Sequence, residues 1–214
     1  MNRILLIPFL LVLMLTTVSA QVDWKLKTEK DGIKVYSAQV PDSKVKSIKV
    51  EAEFNAAPSQ LVALLMDVNS CADWLYHVKS STLVKQVSSS ELYYYSEVNL
   101  PWPAQNRDYV GHLTVSQNPA TKVVTITGPV VKGIVPEKKG VVRITESIGK
   151  WTITPMRNDQ IKVEYALHTD PAGSLPSWLV NMFATEGPLK IFENIKVQLQ
   201  KASVKGSVYA SVSK

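Results

Sequence analysis

Asp170 to Lys201 reads DPAGSLPSWLVNMFATEGPLKIFENIKVQLQK, the one long stretch of the chain with helical periodicity. Val180, Phe183, Ala184, Gly187, Ile191, Ile195 and Leu199 recur at steps of three or four, while Lys190, Glu193, Lys196 and Gln200 fall elsewhere. That spacing predicts a helix with one apolar face and one wet face. Pro176 suits a first helical turn, where a missing N–H costs little, and Ser174 or Ser177 is placed to cap the amides there. About 25 residues at ~1.5 Å each give a helix of roughly 37 Å, enough to cover a whole sheet. Pro188 removes one backbone hydrogen bond and presses its ring on the preceding turn, so a kink is expected near Gly187 and Pro188.

Upstream of this helix the chain reads mostly as strand. Trp24 to Thr28 and Ile33 to Ala38 flank the turn sequence Glu29-Lys30-Asp31-Gly32, a hairpin pattern. Ile48, Val50, Ala52 and Phe54 then alternate with Lys49, Glu51 and Glu53, as a strand with one buried face requires. After Ala57-Pro58-Ser59, the residues Leu61, Val62, Leu64, Leu65 and Val68 crowd one side of a short helix. Cys71 to Leu75 continues it as a turn or loop, with Trp74 packing inward. Strand patterns recur over Thr82 to Val87, Leu92 to Val98, Asp108 to Ser116, Val123 to Thr127, Val141 to Thr145, Trp151 to Thr154 and Ile161 to His168. Strands, short helices, more strands and one long helix define an α+β class, an antiparallel sheet with helices on one side. A curved sheet closed by an amphipathic helix need not pack solid, and a ligand fits in the space between them.

Residues 1–20 hold Arg3, an apolar run from Ile4 to Leu15 and the small-residue ending Val18-Ser19-Ala20. They read as a cleaved signal peptide, which places the protein in the periplasm or outside the cell. The run is too short for a membrane span. Residues 21–202 fit one domain with a sizeable core, and the Ser-rich stretch 203–214 is expected to lack structure. The 24 basic and 18 acidic side chains give +6, spread thinly, so the clustered basic face that nucleic acid wants is missing. Cys71 is the single cysteine, which rules out an internal disulfide and points to a buried thiol. No HExxH, CxxC, P-loop, dinucleotide or GxSxG pattern accompanies His77, His112 and His168, so no cofactor is implied.

Several separated segments are more specific. They are Asp31-Gly32-Ile33-Lys34-Val35-Tyr36, Asp67 with Trp74, Leu100-Pro101-Trp102-Pro103 with Asn106-Arg107-Asp108-Tyr109-Val110, and Gly140-Val141-Val142-Arg143-Ile144. Trp151 to Pro155, Asp170-Pro171-Ala172-Gly173 and Leu175 to Asn181 complete the set. In this order they resemble START domains, the lipid-transfer modules related to the steroidogenic acute regulatory protein, over roughly Trp24 to Gln200. The resemblance implies a helix-grip fold, in which a curved antiparallel sheet wraps a long C-terminal helix with an apolar tunnel between them. It further implies non-enzymatic binding or transfer of a lipid or other apolar small molecule by a monomer that touches membranes transiently.

Strand alternation puts Tyr109, Gly111, Leu113 and Val115 on one face, Trp151 and Ile153 on another, and Ile161, Val163, Tyr165 and Leu167 on a third. The ligand-binding residues expected from this and the resemblance are Tyr109, Leu113, Trp151, Ile153, Tyr165 and Leu167 from the sheet. Val180, Phe183 and Ala184 join them as a helical floor. Some sterol-binding members carry a second arginine six residues beyond that of the Arg-Asp pair. Leu113 stands there, favouring an apolar ligand or anchoring through Tyr or Ser. Arg107 and Asp108 read as scaffold, pairing with backbone or each other, and Val130 to Lys139 as a lid. The alternatives are a polyketide cyclase-like enzyme using the same cavity, with His112 or His168, and a cell-envelope interaction protein using Tyr93-Tyr94-Tyr95.

Overall fold

Ten strands join in one sheet of a computed structural model that describes residues 22–41, 43, 45–201, 209 and 212. They are β1 (Lys25–Lys30), β2 (Ile33–Gln39), β3 (Lys46–Asn55), β4 (Val78–Ser88), β5 (Glu91–Val98), β6 (Arg107–Gln117), β7 (Val124–Pro129), β8 (Val142–Arg143), β9 (Glu146–Pro155) and β10 (Gln160–Asp170). The order is β1-β2-β3-β10-β9-β7-β6-β5-β4, antiparallel along this path, with β8 a short parallel strand beside β6. The predicted hairpin closes through Asp31 and Gly32, both at positive φ (51° and 79°), the backbone that a two-residue turn between twisted strands demands. Pairing of β3 with β10 brings the third and last strands together mid-sheet. Val141 to Thr145, expected as a full strand, contributes only the two residues of β8.

One face of this sheet carries α1 (Pro58–Met66), a 3₁₀ turn (Val68–Asp73) and the C-terminal helix. That helix runs without a break through α2 (Ser177–Asn181), a π turn (Met182–Glu186) and α3 (Gly187–Gln200). Its start differs from expectation, because neither Ser174 nor Ser177 caps it. Instead the Pro176 carbonyl accepts the Leu179 and Val180 amides at 3.0 and 3.1 Å. Pro188 produces a widened turn rather than a break. The Gly187 amide reaches back to the Met182 carbonyl, and the wider turn accommodates a ring that an α turn would push against the preceding carbonyls. The extra residue in that turn shifts the buried face by one position upstream of it. Leu179 is fully buried, while Val180 is 43 % exposed.

The solid part of the core lies under α3. Phe192 is fully buried, with ring centroids 6.0 Å from Phe54 and 5.6 Å from Trp151. Ile195 and Leu199 continue that buried stripe, and Val35, Val50, Ile161 and Val163 meet it from the sheet. No helix among the described residues is long and apolar enough to cross a membrane. The expected signal peptide lies outside the described residues. Of the stretch 203–214, expected to lack structure, Tyr209 and Val212 are described. The Tyr209 hydroxyl donates to the Ser89 carbonyl, and Val212 is buried.

Candidate ligand cavity

Beside that solid core, the sheet and helices part to leave a cavity of about 110 Å³. Its floor is the inner face of five neighbouring strands, from which Tyr94, Tyr109, Leu113, Ile126, Trp151 and Tyr165 rise. Leu65 of α1 and Ile191 of α3 cover it, and Val68, Cys71, Trp74 and Leu75 form one wall. Tyr94, Tyr109 and Tyr165 keep accessible area although protein encloses their phenols, because the surface they keep faces the cavity.

Glycines explain why this region does not pack solid. Gly111 pairs across the strands with Tyr94, and a Cβ there would overlap the Tyr94 ring. A Cβ at Gly128 would lie 2.9 Å from Leu113 Cδ2, and one at Gly149 would lie 3.1 Å from Tyr165 Oη. Each glycine lets a large neighbour lean along the sheet instead of standing up toward the helices, so space remains above it. The Trp151 and Tyr165 rings stack at 4.2 Å, which fixes the centre of the floor.

Burial raises the Tyr94 hydroxyl well above its ordinary value, and Tyr109 and Tyr165 upward as well, so all three are neutral hydrogen-bonding groups. Burial, with Asp67 nearby, pushes the Cys71 thiol up to about 12, which leaves it inert as a nucleophile. His112 and His168 project from the opposite face of the sheet. His112 Nε2 lies 2.8 Å from Glu91 Oε1 and stacks on Tyr93, and His168 lies between Ser47 (3.0 Å) and Ser43 (3.4 Å).

The charged pairs sit at the sheet's end and brace loops. Arg107 donates to the carbonyls of Pro171 (2.7 Å), Gln105 (2.7 Å) and Ala172 (2.9 Å), tying the turn before α2 to the loop before β6. Asp108 takes two bonds from Arg143, at 2.7 and 3.1 Å, and one from Tyr95 at 3.0 Å. Arg107 and Asp108 are therefore scaffold: Arg107 pairs with backbone as expected, while Asp108 pairs with Arg143 and Tyr95 rather than with Arg107, since neighbouring strand residues point to opposite faces. The loop Val130 to Lys139, expected as a lid, is fastened. Arg143 holds the Val135 and Pro136 carbonyls, and Lys138 bonds Glu97.

The family model of the START domain matches residues 10–204. The chain belongs to the START domain family. A STAR-related lipid transfer protein fragment from Xanthomonas axonopodis is 33 % identical in sequence, with a TM-score of 0.76 over 83 % of this chain and 99 % of that one. An uncharacterised protein of Pseudomonas aeruginosa is 31 % identical over 84 % of this chain and 88 % of its own length. The phosphatidylcholine transfer protein of Mus musculus is 30 % identical over 77 % of this chain and 78 % of its own. The sheet wrapped on a C-terminal helix is the helix-grip arrangement of this family, and the α+β class stands.

Within this START domain, the expected residues divide. Tyr109, Leu113, Trp151 and Tyr165 line the cavity together. Ile153 shares their face but is fully buried in the solid core, and Leu167 lies further along β10, opposite Ile48 and Gly149 and outside the lining. The helical floor needs correction. Val180 points to solvent, and Phe183 and Ala184 lie outside the lining. Phe183 instead meets Tyr76 and His77 edge-on at 5.9 and 5.5 Å. The lining contribution of the helix comes from Ile191, beyond the π turn. Tyr94, Trp74 and Leu75 were missed as lining. The signal for Tyr94 was Gly111, an inward glycine on a strand with a large neighbour to accommodate.

Proposed function

We propose that this START domain takes one lipid molecule into the cavity and carries it between membranes, acting by binding alone and as a monomer. The observation that carries this reading is the largely apolar cavity between sheet and helices in a chain with lipid-transfer proteins among its relatives. At about 110 Å³ it is smaller than the roughly 300–1,000 Å³ of a site that encloses a drug-sized ligand, so a wall must move to admit a lipid.

The segment best suited to move is α2 with its π turn, which lies outside the lining but leads directly into α3, whose Ile191 covers the cavity. No residue of Met182–Glu186 is buried, whereas α3 is anchored by Phe192, Ile195 and Leu199 and by Asn194, whose amide donates to the Trp74 carbonyl at 2.7 Å. Trp102, 89 % exposed, and Trp178, 52 % exposed, supply membrane contact at the same end, where Arg107 ties their two segments together. Tryptophan favours the membrane–water boundary, with an apolar ring and a polar N–H.

The test is transfer of fluorescent lipids, neutral and zwitterionic in separate runs, from donor to acceptor vesicles. The full chain should speed transfer of at least one lipid tenfold or more over spontaneous exchange. Replacing Trp102 and Trp178 together by alanine should lower that rate several-fold and weaken co-sedimentation with vesicles. Spontaneous rates for every lipid would defeat the proposal.

A further inference from the structure

We propose that the cavity receives the uncharged polar end of a neutral lipid, a carbonyl or hydroxyl group bonded by the Trp74 indole and the phenols around it, and that it rejects ionised headgroups. This rests on the reading of the cavity as a lipid site and names the class of lipid.

The lining holds no Asp, Glu, Lys, Arg or His. Arg107 stands two residues before Tyr109 on the same face of β6, but its Nε, Nη1 and Nη2 are all committed to main-chain carbonyls. Arg143 is committed to Asp108, and Lys79 and Lys138 to Glu97 on the outer face. A phosphate or carboxylate drawn into this chamber would lose its water and gain no counter-charge, the most unfavourable kind of burial.

Neutral hydrogen-bonding capacity, by contrast, is left over. Trp74 is 4 % exposed and lines the cavity, yet its Nε1–H has no acceptor among the described residues. Tyr165 also lines the cavity, and its Oη sits over Gly149, 3.1 Å from the position of an added Cβ. Tyr94 Oη approaches Tyr109 Oη at 3.5 Å, the outer limit of a bond, and Tyr109 leans also on Ser96. Buried donors are nearly always partnered in folded proteins, so the indole N–H with none, in a cavity that the Tyr165 phenol also lines, marks where a ligand oxygen belongs. Because burial holds the phenols protonated, they donate at every physiological pH.

The experiment loads the full chain from vesicles containing equal amounts of dioleoylglycerol, dioleoyl phosphatidylcholine and dioleoyl phosphatidylglycerol. These share acyl chains and differ only at the headgroup. The protein is re-isolated and its lipid quantified by mass spectrometry. Dioleoylglycerol should exceed each phospholipid at least tenfold, and Trp74→Phe and Tyr165→Phe should each cut that preference severalfold, with folding checked by thermal melting. Tyr165→Phe keeps the ring stacked on Trp151, so it remains informative if Trp74→Phe does not fold. Phospholipid uptake equal to or above that of dioleoylglycerol would overturn the proposal and leave lipid binding standing. An undiminished preference in a folded Tyr165→Phe variant would overturn the assignment of the polar anchor. Uptake of none of the three would overturn the lipid reading itself.

Discussion

Glu97 is 2 % exposed and held by Lys138 at 2.6 Å, Lys79 at 2.8 Å and the Asn106 amide at 2.9 Å. These bonds, Lys138 first, lower its carboxyl from the ordinary 4.5 to about 2 against the opposing effect of burial. Because the folded value lies below the unfolded one, the stabilisation is complete above about pH 4.5 and fades as pH falls toward 2. The full shift corresponds to ~3 kcal/mol. The lysines are 53 % and 57 % exposed, and solvent screening reduces this to about 1–2 kcal/mol. Denaturant titrations of wild type and Glu97→Gln across that window should diverge by this amount, with the variant falling less. Parallel curves would remove Glu97 from the acid response. The buried acid itself was not legible as such, because its period-two position in β5 says only that it faces away from Tyr94 and Ser96. Its lysine partners come from β4 and from a loop far along the chain.

At the scale of elements, strand alternation was a reliable guide and helical periodicity was reliable only on one side of Pro188. The inward sets on β6, β9 and β10 follow from parity alone, since a period of two has no room for partial errors. The uniform 3.6-residue spacing carried across Met182–Glu186 put Val180 on the inner face, and the π turn gave that place to Leu179. A proline foretells a disturbance, but whether the chain answers by kinking or by widening depends on what packs around it. Here Tyr76 lies against Gly187, at 3.2 Å from the position of an added Cβ. Pro188→Ala restores the missing amide and should let the turn tighten. The expected result is a lipid exchange rate lowered severalfold, with a melting temperature equal to or higher than wild type. An unchanged exchange rate would reduce the π turn to a packing feature.

Across the whole molecule, the architecture was legible because strand, turn and helix signals agreed with one another and with the START pattern. The cavity was half legible. Tyr109, Leu113, Trp151 and Tyr165 lie on strands whose facing is fixed by parity. The wall from Val68 to Leu75 depends on a 3₁₀ turn, whose side chains follow neither period. Val130 to Lys139 looked free because its Gly and Pro punctuate a loop, but the bonds that fasten it come from Arg143 and Glu97, beyond any local signal. What unites the molecule is a chamber kept open by glycines on the sheet and closed by helices, one of which has a loosely packed end. That this chamber holds one lipid can be checked by native mass spectrometry of the full chain, as purified and after incubation with mixed-lipid vesicles. The expected result is one discrete adduct of lipid mass per chain, released by organic solvent and identified in the extract. The mass of the bare chain alone, before and after incubation, would contradict it.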